Sequence, residues 1–181
     1  NQFLSGFSNI RQDEYGGSLP NRMRFGLEVM TAIRKTVGGD YPLIVRMNGN
    51  DFMPQGQSRE ELQAYARALT QEAGVNALSI NVGWHEARVP QITTAVPRGA
   101  FAYLARGIKT QVPVPVIYGH RVNDLGTARQ LLADFGPVLV ERQTEHLLLA
   151  HYGETHVAEP GHAVAVTGHD VQIVAAGTDQ G

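Results

Sequence analysis

Tyr41-Pro42-Leu43-Ile44-Val45-Arg46-Met47-Asn48-Gly49-Asn50 is the stretch whose reading decides the fold. Leu43, Ile44 and Val45 make a short apolar run, and Asn48-Gly49-Asn50 closes it with turn-forming residues. A run apolar along its length suits a strand buried on both faces, the condition of strands in parallel sheets. Upstream, Phe25, Val29, Ile33 and Val37 recur every four residues, with Met23, Leu27 and Met30 beside them, and this spacing predicts a helix. Ser18 is placed to cap that helix, Pro20 is tolerated in its first turn, and Gly38-Gly39 stops it. Downstream, Ser58-Arg59-Glu60-Glu61 reads as a capping box ahead of Leu62, Tyr65, Ala66, Leu69 and Ala73, with Gly74 ending the run.

The same alternation continues. Ala77 to Val82 reads as a second strand, and after a long loop Phe101, Leu104, Ile108 and Val112 mark a third helix. Val114 to Tyr118 is a third strand. Asn123 or Asp124 caps a fourth helix carrying Leu125, Ala128, Leu131 and Leu132, and Val138 to Val140 is read as a fourth strand. Strands that are apolar throughout and alternate with helices predict an α/β fold with a parallel sheet. A closed eight-unit barrel takes about 250 residues, and this chain supplies about four βα units. Residues 1–17 read as a polar, irregular lead-in ending on Asp13-Glu14-Tyr15-Gly16-Gly17. Beyond Arg142 the pattern changes: Leu147, Leu148 and Leu149 are assigned to a short helix, and residues 162–166 and 171–174 to two short strands. The expected division is therefore 1–142 as the α/β part and 143–181 as an atypical tail.

Composition narrows the function. The chain has 181 residues, 15 Lys plus Arg against 17 Asp plus Glu, a net charge of -2 and 43% apolar residues, as a soluble globular domain does. No basic stripe is present for a nucleic-acid backbone and no polybasic anchor for a membrane surface. No apolar run approaches the roughly 18 to 20 residues of a membrane span, and residues 1–4 have no signal-peptide character. The cytoplasm is the expected location. Zero cysteines exclude disulfides, thiolate zinc sites and cysteine nucleophiles within these residues. His146, His151 and His156 are five apart and do not align on one helical face, and neither they nor His162 and His169 have a carboxylate at ligand spacing, so no metal site is expected. The first residue is not methionine, which is read as processing or a fragment.

In a parallel α/β protein the functional groups stand at the carboxyl ends of the strands, and three such ends carry chemistry. Arg46 is a charged side chain inside an apolar run. It either pairs with a carboxylate on a neighbouring strand or turns its permanent charge to an anionic or electron-rich ring. Gly83-Trp84-His85-Glu86-Ala87-Arg88-Val89-Pro90 follows the second strand. There His85 is suited to proton donation near neutral pH and Arg88 to holding an anion, the alternative being a surface loop whose charges pair only with each other. Tyr118-Gly119-His120-Arg121 follows the third strand, where a glycine and a helix N-terminus favour a phosphate and Arg121 adds full charge, or where a plain βα turn suffices.

Asn1-Gln2-Phe3-Leu4, Asn9-Ile10-Arg11, Asp13-Glu14-Tyr15-Gly16-Gly17-Ser18, Asn21-Arg22 and Arg24-Phe25 together resemble the old yellow enzyme family of flavin-dependent oxidoreductases, also called NADH:flavin oxidoreductases. Gly83 to Pro90, followed by Val96-Pro97-Arg98-Gly99-Ala100-Phe101, is similar to its branch containing bacterial 2,4-dienoyl-CoA reductase. The resemblance covers about residues 1–134. It implies a (β/α)8 TIM barrel holding FMN at the carboxyl ends of its strands, this chain matching the second half. It further implies that Arg46 lies beside the flavin pyrimidine, that Gly119, His120 and Arg121 contact FMN phosphate, and that His85 is the catalytic histidine. Glu86, Ala87, Arg88 and Val89 then line the substrate.

The chain departs from the family pattern in places. The family's proton-donating tyrosine would fall before Asn1, and the first four βα units are missing from these residues. After the last strand the family presents Ala-Arg or Gly-Arg to the phosphate, whereas this chain has Glu141-Arg142, with Arg142 aligned across a short deletion and Glu141 repelling the anion. The implied activity is that of an FMN-dependent ene-reductase, with NAD(P)H as reductant and a small enoyl or enone substrate. The rivals are an amine dehydrogenase resembling trimethylamine dehydrogenase, and a non-catalytic half barrel that self-associates through its exposed edges.

Overall fold

The computed structural model describes residues 1–135, 138–141, 148–152 and 154–157. Helix α1 (Leu19–Val37) leads into strand β1 (Ile44–Asn48), then α2 (Arg59–Gln71), β2 (Ala77–Asn81), α3 (Ala102–Lys109), β3 (Val116–Tyr118), α4 (Leu125–Phe135) and β4 (Val138–Glu141). Strands β5 (Leu148–Tyr152) and β6 (Glu154–Val157) follow. The sheet order is β1-β2-β3-β4-β5-β6. The first four strands are mutually parallel, and β5 and β6 are added antiparallel. Parallel strands joined through helices are the α/β architecture read from the sequence, consistent with part of a (β/α)8 barrel.

Local chemistry explains most of the boundaries. In α2 the Ser58 hydroxyl accepts from the Glu61 amide at 3.1 Å, and the Glu61 carboxylate accepts from the Ser58 amide at 3.0 Å, completing the capping box. For α4 the cap is Asp124, whose carboxylate accepts from the Thr127 amide at 2.9 Å and the Thr127 hydroxyl at 2.8 Å. Ser18 does occupy the N-cap of α1, but its side chain makes no capping hydrogen bond; that end is held instead by Pro20 and by backbone. Gly38 ends the helix at a φ of 84°, a conformation costly for other residues. The expected helix at Leu147 to Leu149 is corrected. Leu148 and Leu149 stand in β5, opposite Glu141 and Val140, where an unpaired edge of β4 offers a ladder that an isolated three-leucine run cannot replace by helical bonds. Residues 162–166 and 171–174 lie outside the described residues.

The core lies between the helices and one face of the sheet. Met47, Leu78, Ile80, Val116 and Tyr118 on the strands pack with Leu62, Leu69, Leu104, Ile108 and Leu131. One expectation about this core is corrected. Strand β1 is not buried on both faces: Ile44 and Val45 are half-buried and Arg46 is exposed. It is an edge strand, pairing with β2 alone among the described residues. The four-residue repeat Phe25, Val29, Ile33 and Val37 on α1 lies outside the core. They remain 38–44% exposed, while Met23, Leu27 and Met30 turn inward to the cluster. Phe3 lies over Phe25 with ring centroids 4.3 Å apart, and Tyr15 meets the same ring edge-on at 6.4 Å.

The lead-in is ordered by side chains from α1 and from the segment between β1 and α2. Arg22, 9% exposed, donates to the Leu4 carbonyl at 2.6 Å and the Gly17 carbonyl at 3.1 Å and pairs with Glu61. Ser5 donates to the buried Asp51 carboxylate at 2.7 Å.

Candidate functional site

Residues that alternate along a strand project to opposite faces, and in-register partners share a face. Arg46 is level with Ser79 and Ile117, and Asn48 is level with Asn81. These side chains therefore line the face turned away from the helical core. There the hydrogen bonds run in series. Arg46 Nη2 donates to Asn81 Oδ1 at 2.7 Å, Asn81 Nδ2 to Asn48 Oδ1 at 2.8 Å, and Asn48 Nδ2 to the Gly83 carbonyl at 3.1 Å. The relay fixes the guanidinium from one side and ties it to the base of the loop that follows β2. Arg46 thus pairs with an amide rather than a strand carboxylate, and its charge stays uncompensated by that partner.

His120 stands at the end of β3 and is 7% exposed. Burial, and secondarily the positive charge of Arg46, pushes its imidazole down to about 4. It is neutral near pH 7. The repulsion places two of the sequence-identified residues in one electrostatic neighbourhood, one a permanent cation and the other a neutral donor–acceptor. Tyr118, two residues earlier, uses its hydroxyl to accept from the Phe101 amide at 3.2 Å, and burial raises its phenol well above the ordinary range.

The loop after β2 contains no helix or strand from residue 82 to residue 101. Gly83 begins it at a φ of 76°, and a Cβ there would stand 2.1 Å from the Gln91 amide nitrogen, which itself donates to the Trp84 carbonyl at 3.0 Å. Only glycine meets both conditions. His85 and Glu86 are on the open side of the loop, their side chains 77% and 57% exposed, and their nearest polar atoms are 3.5 Å apart. Trp84 stacks on His85 with centroids 5.6 Å apart and keeps a buried indole N–H with no acceptor. Ala87 is half-buried, and Arg88 and Val89 are exposed.

Arg121 also differs in its surroundings from a bare anion site: its Nε donates to the Val96 carbonyl at 2.9 Å and its Nη1 to Asn123 Oδ1 at 3.2 Å. Gly119 is half-buried and accepts from the Val122 amide at 3.1 Å in the turn. Arg142 lies outside the described residues. Asn48 and Asn81 were missed in sequence, where Asn48 counted only as a turn former. A polar residue two positions after Arg46, matched by one at the end of the next strand, is the signal that would have found them. Among the described residues no group of three or more His, Asp or Glu could hold a metal ion, and no helix is long and apolar enough to cross a membrane.

The geometry can hold a polar, planar, anionic group against Arg46, with a loop of mixed charge beside it. Comparison with known proteins bears on what that group is. The sequence model of the NADH:flavin oxidoreductase / NADH oxidase family matches residues 1–146. A metal reductase of Desulforamulus reducens is 49% identical over 148 residues, 74% of this chain and 22% of that protein. An N,N-dimethylglycine/sarcosine dehydrogenase of Chromohalobacter salexigens is 33% identical over 154 residues, 83% of this chain and 22% of that protein. Among solved structures, 2-naphthoyl-CoA reductase in complex with 2-naphthoyl-CoA superposes with a TM-score of 0.70 at 36% identity, covering 74% of this chain and 20% of that one. The chain thus spans about a fifth of the length of these relatives.

Proposed function

This chain belongs to the NADH:flavin oxidoreductase / NADH oxidase family, and from that premise we propose that it is the FMN-holding second half of a (β/α)8 barrel in an NAD(P)H-dependent ene-reductase. On this reading residues 1–142 are the barrel part and residues 143–181 an appendage to it. The observation that carries the proposal is the relay Arg46–Asn81–Asn48–Gly83 on the face away from the helices. It presents a fixed cation at a strand end without a carboxylate to neutralise it, which suits the electron-rich edge of a flavin. When bound, FMN would accept hydride from NAD(P)H and deliver it to an alkene carbon.

The chain's own residues divide the remaining work. Arg46 holds negative charge, and its orientation is set by Asn81. Gly119 and the neutral His120 offer close approach and hydrogen bonds where the phosphate end would sit, with Arg142 assigned to the same end by resemblance alone. His85 stands exposed on the substrate side with Glu86 within ion-pair reach, and in this reading it donates the proton to the carbon next to the one receiving hydride. Glu86, Ala87, Arg88 and Val89 would meet an enoyl thioester or enone. Support for a conjugated carbonyl substrate comes from the likeness to 2-naphthoyl-CoA reductase, while the likeness to an amine dehydrogenase keeps C–N oxidation as the second reading.

The test uses the longer protein carrying this segment. Arg46→Ala is expected to weaken FMN retention about tenfold or more, the scale of a lost charge-assisted contact, and to lower the flavin midpoint potential. Reoxidation of the reduced protein by an enoyl thioester rather than reduction by a methylamine separates the two chemistries. Unchanged FMN retention and potential in Arg46→Ala would refute the assignment of the relay to the flavin.

A further inference from the structure

The loop of residues 82–101 is long for a connection without regular structure, and such loops keep a working shape only where tertiary bonds fix them. Its beginning is tied to β1 and the turn after it: the Gly83 amide donates to the Asn50 carbonyl at 2.7 Å and the Gly83 carbonyl accepts from Asn48 at 3.1 Å. Its end is tied to residue 121 twice. Arg121 Nε donates to the Val96 carbonyl at 2.9 Å, and the Arg121 carbonyl accepts from the Gly99 amide at 3.1 Å. Arg121 holds a φ of 57°, a left-handed conformation that a non-glycine residue keeps where its surroundings over-determine it. Val96, the residue it grips, is 7% exposed. Nη1 of the same guanidinium donates to Asn123 Oδ1 at 3.2 Å, which orients the group from the side of the turn before α4.

We propose that Arg121 is a positioning residue that sets the exit of the β2–α3 loop, and through it the placement of His85 to Val89, rather than a charge held for the flavin phosphate. The assignment of those residues to substrate rests on the function proposed above; the latch itself does not. A planar guanidinium is required because one side chain must point Nε at a carbonyl of one loop while Nη1 meets an amide of the next turn. Lysine keeps the charge and remains a good phosphate binder, yet cannot make both directed bonds. Arg121→Lys therefore separates the two roles.

Two native readouts apply to the 181-residue chain. Arg88 and Arg98 are exposed trypsin sites within the loop, and Trp84, the only tryptophan of the chain, reports on its conformation. Arg121→Lys is expected to speed cleavage after Arg88 about tenfold, the population change of one lost charge-assisted hydrogen bond in a local opening. Acrylamide quenching of Trp84 should rise, while the urea midpoint moves little. In the longer flavin-bearing protein the same variant should raise KM for the alkene with reduction by NAD(P)H and FMN affinity within about twofold of wild type. Wild-type cleavage and quenching in a folded Arg121→Lys would overturn the proposal. So would Arg121→Ala losing FMN but not riboflavin affinity with the loop still protected. If Arg121→Lys does not fold, Asn123→Ala removes only the Nη1 acceptor and should still accelerate cleavage after Arg88; no acceleration refutes the latch. A longer protein without flavin would refute the oxidoreductase reading and leave the cleavage result standing.

Discussion

Acidification should weaken this fold through His120, and the effect has a calculable size. The imidazole is 7% exposed, and its burial, with the nearby Arg46 charge as the second cause, lowers its pKa from 6.5 to about 4. In the unfolded chain His120 takes up its proton near its ordinary value, whereas in the folded chain it stays neutral well below that. The unfolded state thus binds more protons throughout this window. Stability is fully present above about pH 6.5 and is lost progressively as the pH falls towards about 4. Between about pH 7 and about pH 4.5 the loss assigned to this one group is roughly 2.5 kcal/mol, a large share of the roughly 5–15 kcal/mol that holds a typical domain.

Carboxylates titrate over the same range, so the measurement must be differential. Urea unfolding followed by far-ultraviolet circular dichroism would be recorded at both pH values for the wild-type chain and for His120→Gln. The variant cannot protonate, and its stability should fall less on acidification by roughly 2.5 kcal/mol. Nuclear magnetic resonance titration of the imidazole gives an independent value, which Arg46→Gln should shift upward while leaving it below the ordinary range, because burial is the larger cause. A measured pKa at or above about 6, or parallel pH curves for the two proteins, would refute this account of the Arg46–His120 neighbourhood.

Arg22→Met should destabilise the chain by about 3 kcal/mol or more, since it strips the Leu4 and Gly17 carbonyls of a donor and removes the counter-ion of the half-buried Glu61, which keeps only its capping bond to the Ser58 amide; the urea midpoint checks this, and Glu61→Gln in the same background should recover part of the loss. Val29→Lys places a charge in the exposed α1 stripe. If that stripe drives the association proposed for a half barrel, the wild-type chain elutes above monomer size on gel filtration and the variant elutes smaller, whereas identical elution excludes the stripe.

The parts of this fold governed by nearest neighbours were legible from sequence. Ser58 and Glu61 cap α2 as their spacing implied, and Asp124 caps α4 as one of two candidates. The four parallel β strands, though not β5 and β6, are legible within a few residues because apolar runs bounded by turn residues need no knowledge of partners. What depended on partners was not legible. The four-residue repeat of Phe25, Val29, Ile33 and Val37 states that a helix is amphipathic, but not which element covers the stripe. Leu148 and Leu149 sit in a run that carries no period of its own, so pairing with β4 decided their state. The relay of Asn48 and Asn81 required the register Asn48↔Asn81, a tertiary fact. For Arg121 the residues alone left a phosphate contact or a plain turn open, and the left-handed backbone and the bond to the Val96 carbonyl, both tertiary facts, could not be read from them.

The exposed surfaces fit together with the site when viewed from β1. This strand pairs on one side only among the described residues, its half-buried Val45 lines a cavity with Val29 and Met30 of α1, and Val29, Ile33 and Val37 of the α1 stripe are exposed. A cavity of about 450 Å³ runs between them, lined by Phe25, Val29, Met30, Val45, Met47 and Tyr65, and Arg46 and Asn81 line it as well. One more parallel strand paired to β1 would place its apolar side chains under α1 and its other face beside Arg46. The addition that satisfies the edge therefore also removes water from the guanidinium, which strengthens its attraction for an anionic ring. In the proposed barrel, completion of the sheet and charging of the flavin site are one event: the same missing neighbour leaves the stripe wet and the Arg46 charge screened. A ring that binds weakly to this chain alone and tightly after the upstream strands are restored is the physical consequence, because the contact surface and the low dielectric arrive together.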